Sequence, residues 1–217
     1  MAKVAVVLAG CGVYDGTEVY EAVCTLLALD KANAEVQCFA PNVEQMHVVN
    51  HLTGEVVPGE KRNVLIEAGR ICRGQVKDIA QAEAVDFDAL IVPGGFGAAK
   101  NLCDFAVKGA DCELNPDFLR FAQAMHCAAK PIGLICIAPA MSVAICGAGV
   151  ECTIGNDAGT AAALASMGAV HRECPVEKAW VDQERKLVTT PAYMLANRIS
   201  DAAVGIEQCV KEVLALI

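Results

Sequence analysis

The stretch PIGLICIAPAMSVAICGA, Pro131 to Ala148, opens as an unbroken apolar run and closes as a helix-like segment, with one cysteine where the character changes. A segment without polar alternation has no face to offer water, so Ile132 to Ile135 reads as a strand covered on both sides. Ile137 and Ala138 precede Pro139. A residue before proline avoids the helical region and proline has no N–H to donate, so the chain must turn at Cys136. A strand-to-helix turn of this kind presents its side chain beyond the strand's end, the geometry of a nucleophile elbow. Helix N–H groups aimed at Cys136 are expected to favour thiolate over thiol. The competing reading is a buried, inert cysteine.

Outward from this segment the theme repeats. KVAVVLAG (3–10), EVQCFA (35–40) and ALIVPGGFG (89–97) are strand-like, the first and third running into glycine turns. TEVYEAVCTLLALDKA (17–32) carries Val19, Val23, Leu26 and Leu27 at helical spacing, and PDFLRFAQAMHCAAK (116–130) is an amphipathic helix with proline at its start. MHVVNHLTGEVV (46–57) reads as a hairpin turning near Gly54, and RNVLIEAGRICR (62–73) as a helix. ECTIG, AWVD and KLVTT are further strands, and NRISDAAVGIEQCVKEVLAL (197–216) is a closing helix. Strands alternating with helices predict an α/β fold, a mostly parallel sheet with helices on both faces. Ligand chemistry then collects beyond the carboxyl ends of the strands. The segment from Asn101 to Asn115 shows no regular pattern and reads as a loop over the site.

At 217 residues the chain suits one domain, taken as 1–217. No apolar run approaches membrane-spanning length, so no membrane partner is expected. The N-terminus enters a strand at once without a leader pattern, which predicts a cytoplasmic protein. Asp and Glu number 26 against 17 Lys and Arg, and the absence of a basic cluster argues against nucleic acid. Twelve cysteines without any C-x-x-C spacing support neither zinc nor a disulfide framework. Cys24, Cys38, Cys72, Cys146 and Cys209 read as small buried hydrophobes in a reducing compartment.

GCGVYDG (10–16) lacks the spacing of a dinucleotide fingerprint, since Asp15 stands where the last glycine is needed, and GGFG (94–97) lacks the lysine of a P-loop. The glycines read as tight turns, and the GGFG amides as a lining for an anion pocket. A nucleophile needs a proton carrier. His47, His51, His126 and His171 do not flank Cys136, and His126 remains only an accessory candidate. Glu18 and Glu21 lie three apart on the first helix. Glu21, among apolar neighbours, is expected to be buried with a raised pKa, whereas Glu18 reads as a solvated helix-face residue or an accessory group.

A glutamate early in the first helix, a VPGG turn and a G-x-x-C-x-A-P elbow resemble the PfpI-type, class I glutamine amidotransferase-like superfamily, which includes the parkinsonism-associated deglycase. AGCGVYDGTE, NHLTGE, RNVLIEA, VPGGFGAAKNL, CIAPAM, TIG and VTTPAYM, running from residue 9 to 194, are similar to hallmarks of the ElbB branch, known as isoprenoid biosynthesis or enhancing lycopene biosynthesis proteins. The resemblance implies a flavodoxin-like three-layer sandwich with Cys136 as nucleophile, Glu21 as its carboxylate partner, and Gly95 and Ile137 supplying an oxyanion hole. It implies glutathione-independent glyoxalase activity on glyoxal or related aldehydes, which can appear as protein deglycation, with no metal or organic cofactor and a homodimer or higher assembly. Alternatives are a redox-sensing or chaperone-like protein with an oxidisable Cys136, and an amidase or amidotransferase. The last departs from the pattern, because Ile137 stands where such relatives carry histidine.

Overall fold

A computed structural model describes all residues, 1 to 217. In chain order the strands and helices begin with β1 (Lys3–Val7), α1 (Val19–Lys31), β2 (Glu35–Ala40), the hairpin β3 (Val49–Asn50) and β4 (Glu55–Val56), and α2 (Val64–Ala68). There follow β5 (Val76–Asp78), β6 (Ala89–Val92), α3 (Phe105–Lys108), α4 (Pro116–Cys127), β7 (Ile132–Ile135) and α5 (Ser142–Cys146). The chain closes with β8 (Glu151–Cys152), α6 (Ala158–Met167), β9 (Val170–His171), β10 (Trp180–Asp182), β11 (Leu187–Thr190) and α7 (Ile199–Ala215).

Seven strands form the central sheet in the order β10-β11-β7-β6-β1-β2-β5. All neighbours are parallel except β10, which runs antiparallel to β11 at one edge. Because successive strand residues point to opposite faces, β1 divides its side chains between two cores. Ala5 and Val7 join Leu90, Val92, Ile132 and Leu134 under Phe118, Phe121 and Met125 of α4. Val4 and Val6 join Ala89, Ile91 and Ile135 against Ala22 and Leu29 of α1 and Ile206, Val210 and Val213 of α7. This is the expected three-layer, flavodoxin-like arrangement.

Several elements differ from the sequence reading. The inward face of α1 is Glu21, Ala22, Thr25, Ala28 and Leu29, while Val23 and Leu27 face solvent. Ala22, Thr25 and Ala28 let α1 pack closely on both the sheet and α7. Edge strand β5 and helix α6 escape the periodicity reading altogether. The segment 101–115 is not structureless either: a π-turn (Ala98–Leu102), α3 and a 3-10 turn (Gly109–Asp111) succeed one another, and Cys103 bridges to Leu114. All twelve cysteines are free. Cys38, Cys146 and Cys209 are buried as expected, whereas Cys24 and Cys72 are only half-buried.

Candidate active site

Strand order reverses between β1 and β6: the chain moves outward to β2 and β5 on one side, then to β7 and β11 on the other. A crevice opens at the carboxyl ends of strands at such a point. Glu21, the GGFG turn and Cys136 lie beyond the ends of β1, β6 and β7 respectively, and all three meet there.

Cys136 has φ of 62°, a left-handed conformation that costs a non-glycine residue roughly 1–3 kcal/mol and persists only where its surroundings enforce it. The enforcement is visible on both sides. Its N–H donates to Thr190 O at 2.9 Å, extending the β7–β11 ladder by one bond, and Pro139 stands second in a 3-10 turn (Ala138–Met141) before α5. The elbow is therefore present, but the helix behind it is short and preceded by this turn. Cys136 is buried.

Glu21 is fully buried. Its carboxylate accepts the Gly94 N–H on Oε2 at 2.9 Å and the Tyr193 N–H on Oε1 at 3.2 Å, and a Cβ on Gly94 would touch both Oε2 and Cys136 Cβ, so the carboxylate and the thiol face each other. Burial raises its pKa to about 7, helped by the nearby Glu18 charge and opposed by the bonds to Cys136, Tyr193 and Gly94. The expectation for Glu21 holds.

The thiol does not follow the expectation of a resting thiolate. Burial first, then the Glu21 charge, push the Cys136 pKa well above its ordinary value. The N–H groups of Gly95 and Ile137 point at the sulfur and oppose that rise, yet a short turn cannot supply the dipole of a long helix. Burial and the Glu21 charge both favour the thiol over the thiolate.

Those two amides are the other feature of the site. In GGFG, Gly94 N–H serves Glu21, Phe96 N–H donates to Val13 O at 2.8 Å and Gly97 N–H to Gly16 O at 2.8 Å. Gly95 N–H has no oxygen acceptor, and neither does Ile137 N–H. Gly95 has φ of +90°, and a Cβ there would lie 2.3 Å from Glu18 N, so only glycine holds this amide in place. The GGFG amides thus line a pocket as anticipated, through one donor.

Glu18 departs from the sequence reading. It is the N-cap of α1 and not part of a helix-face pair; its side chain accepts the Glu21 N–H at 2.6 Å. It is 8% exposed, and desolvation raises its pKa. It borders the cavity as an accessory position.

None of the four histidines reaches the site. His126 lies in the last turn of α4, which leads into the start of β7, at the opposite end of the sheet from Cys136. The ring of His171 is bonded to Gly155 O at 3.1 Å, and that of His51 accepts the Tyr14 N–H at 3.2 Å. No group of His, Cys, Asp and Glu side chains is arranged to hold a metal.

The cavity above Cys136 has a volume of about 320 Å³. Val13, Phe96, Phe105, Ala106, Ile137 and Met194 form most of its wall, with Glu18, Thr160 and Tyr193 at polar points. Phe105 and Ala106 come from the segment read as a loop over the site, so that placement holds. Tyr193, Met194 and Thr160 were not identified in the sequence. VTTPAYM stood out only as a matched segment, although Ala192, also left-handed at φ of 42°, precedes the Tyr193 amide that reaches Glu21.

A cysteine at a strained turn beyond a parallel strand, facing a buried glutamate and two free amides, is the arrangement of a class I glutamine amidotransferase-like α/β protein. No family model matches the chain. It is 49% identical over 224 residues to human glutamine amidotransferase-like class 1 domain-containing protein 3, mitochondrial, covering 99% of this chain and 83% of that protein. A solved isoprenoid biosynthesis protein with an amidotransferase-like domain from Ehrlichia chaffeensis superposes with a TM-score of 0.93 at 38% identity, covering 100% of this chain and 99% of that one. The chain belongs to this glutamine amidotransferase-like class 1 family, and the ElbB-type resemblance holds. Glyoxalase III from Candida albicans shares the fold alone, with a TM-score of 0.63 at 14% identity over 100% of this chain and 97% of that one. The cytoplasmic placement is overturned: the human protein and the related ES1 proteins of rat and zebrafish are all named mitochondrial. An N-terminus read for the absence of a leader was too weak a signal to set a compartment.

Proposed function

We propose that the protein is a cofactor-independent glyoxalase, converting glyoxal and related 2-oxoaldehydes to 2-hydroxy acids at Cys136. The observation that carries this reading is the placement of a proton-exchanging carboxylic acid, Glu21, against a thiol that also faces two unengaged amides.

Cys136 Sγ adds to the aldehyde carbon. An S–C bond forms, the carbonyl π pair moves to oxygen, and the Gly95 and Ile137 N–H groups hold the developing charge. The thiol proton passes to Glu21 and from there to that oxygen, giving a hemithioacetal. Glu21 then removes the hydrogen on the same carbon as a proton, and the electron pair moves through an enediol toward the neighbouring carbonyl oxygen. Return of the proton to the neighbouring carbon, with the hydroxyl proton moving from the first oxygen to the second, leaves a thioester, whose C–S bond water cleaves to release the hydroxy acid and restore the thiol. The aldehyde carbon is oxidised and its neighbour reduced, so no outside oxidant is required. A pKa near 7 lets Glu21 take and give protons at neutral pH. An amidase or amidotransferase reading has no comparable support, since no histidine borders Cys136.

The test is glycolate formation from glyoxal by the wild-type protein beside Cys136→Ser, in buffer free of amines and added thiols. Turnover by the wild type that is lost in the variant supports the reading. Equal and negligible rates leave an oxidisable thiol without an enzyme.

A further inference from the structure

Glyoxal has no side group, whereas the cavity above Cys136 is about 320 Å³, the size of site that encloses most of a small organic ligand. Its wall is specific in chemistry. Phe96, Phe105, Ile137 and Met194 present aromatic and aliphatic surface, and no lysine, arginine or histidine contributes to it. Lys100, next to the wall in sequence, does not line the cavity: its Nζ donates to Tyr14 O at 2.8 Å and lies 5.2 Å from the Phe96 ring centre. The wall's ionisable carboxylate, Glu18, is held in place by the Glu21 amide. A carboxylate or phosphate on the substrate would therefore meet an acidic side chain and no lining cation to pair with, in surroundings of low dielectric.

We infer that the preferred substrate class is an uncharged 2-oxoaldehyde carrying an apolar group, aryl or branched alkyl, with glyoxal turned over less well and anionic aldehydes disfavoured. This rests on the glyoxalase reading for its reaction and on the cavity wall for its selectivity. The apolar group lies against Phe105 and Met194, leaving the aldehyde at Cys136. A hydrophobic wall of this kind discriminates by roughly ten- to a hundredfold for each well-filled group.

The test compares kcat/KM for phenylglyoxal, glyoxal, methylglyoxal and hydroxypyruvaldehyde phosphate on the wild-type protein and on Ala106→Asp, with thermal unfolding to establish that the variant is folded. Phenylglyoxal is expected to exceed glyoxal by about tenfold or more, with the difference in KM. The phosphate is expected to fall at least about tenfold below methylglyoxal, and Ala106→Asp to reduce the phenylglyoxal-to-glyoxal ratio. Separately, acetophenone, which cannot turn over, should slow iodoacetamide alkylation of wild-type Cys136 more than pyruvate does at equal concentration. Equal protection by acetophenone and pyruvate, or glyoxal turned over as well as phenylglyoxal, overturns the inference while leaving the glyoxalase reading intact. Selective protection by acetophenone with no turnover of any aldehyde removes the reaction and retains the cavity's ligand class.

Discussion

Gly94 donates its N–H to Glu21 Oε2 at 2.9 Å, and the Cβ it lacks would stand 2.7 Å from that oxygen and 2.5 Å from Cys136 Cβ. One glycine thus fixes the carboxylate and leaves room for the thiol to reach it. The pair is set by the turn after β6, an element that contributes neither side chain.

Gly94→Ala is accordingly expected to push Cys136 and Glu21 apart. Overpacking of this kind destabilises by roughly 1–3 kcal/mol, and Ile135 O at 2.8 Å from the new Cβ leaves it nowhere to go. Thermal unfolding should show the loss, and aldehyde turnover should fall further than the stability change explains.

Burial of Glu21 makes stability fall as pH rises through neutrality. Its pKa moves from 4.5 to about 7 on folding, so between these values the folded chain binds the extra proton. The contribution is fully present below the unfolded pKa and is lost as pH passes the folded one. The shift corresponds to about 3 kcal/mol. Glu18, also raised, acts with the same sign, and the Cys136 thiol keeps its proton across this window. Denaturant unfolding between pH 5 and pH 8 should show wild-type stability falling, with a smaller fall for Glu21→Gln.

Glu18 tunes Glu21. Glu18→Gln retains an oxygen to accept the Glu21 N–H but removes the neighbouring charge that helps raise the Glu21 pKa. The protonated-carboxyl infrared band of Glu21 should then disappear at lower pH than in the wild type. Glu18→Ala also loses the helix cap and is expected to cost about 1 kcal/mol of stability. An unmoved band in Glu18→Gln contradicts the coupling.

Much of this site was legible in the sequence because its constraints are local. Pro139 and the apolar run before Cys136 dictate a turn at the thiol, whereas Glu21 is buried with Ala22, Thr25, Ala28 and Leu29 and not by the Val23 beside it, which faces solvent. Other features depend on distant segments. Glu18 looks like a helix-face residue until the chain before Val19 bends away and makes it a cap. The Tyr193 amide reaches Glu21 across 172 positions of sequence, which no spacing rule contains. The acidity of Cys136 was misread for the same reason: the turn suggested a helix dipole, whereas burial and Glu21 dominate. α6 was missed because its alanine-rich sequence buries only Leu164 and so shows no apolar stripe. β5 was missed because three partly exposed edge residues carry no strand pattern.

The central claim is that Glu21 moves protons at a thiol it otherwise restrains. The most direct test measures two rates on Glu21→Gln beside the wild type: glycolate formation from glyoxal, and alkylation of Cys136 by iodoacetamide. Loss of general acid–base help should lower turnover by roughly 10²–10⁴-fold. Loss of the adjacent negative charge should lower the thiol pKa, so alkylation at neutral pH should hold or rise. Undiminished turnover in the variant contradicts the account.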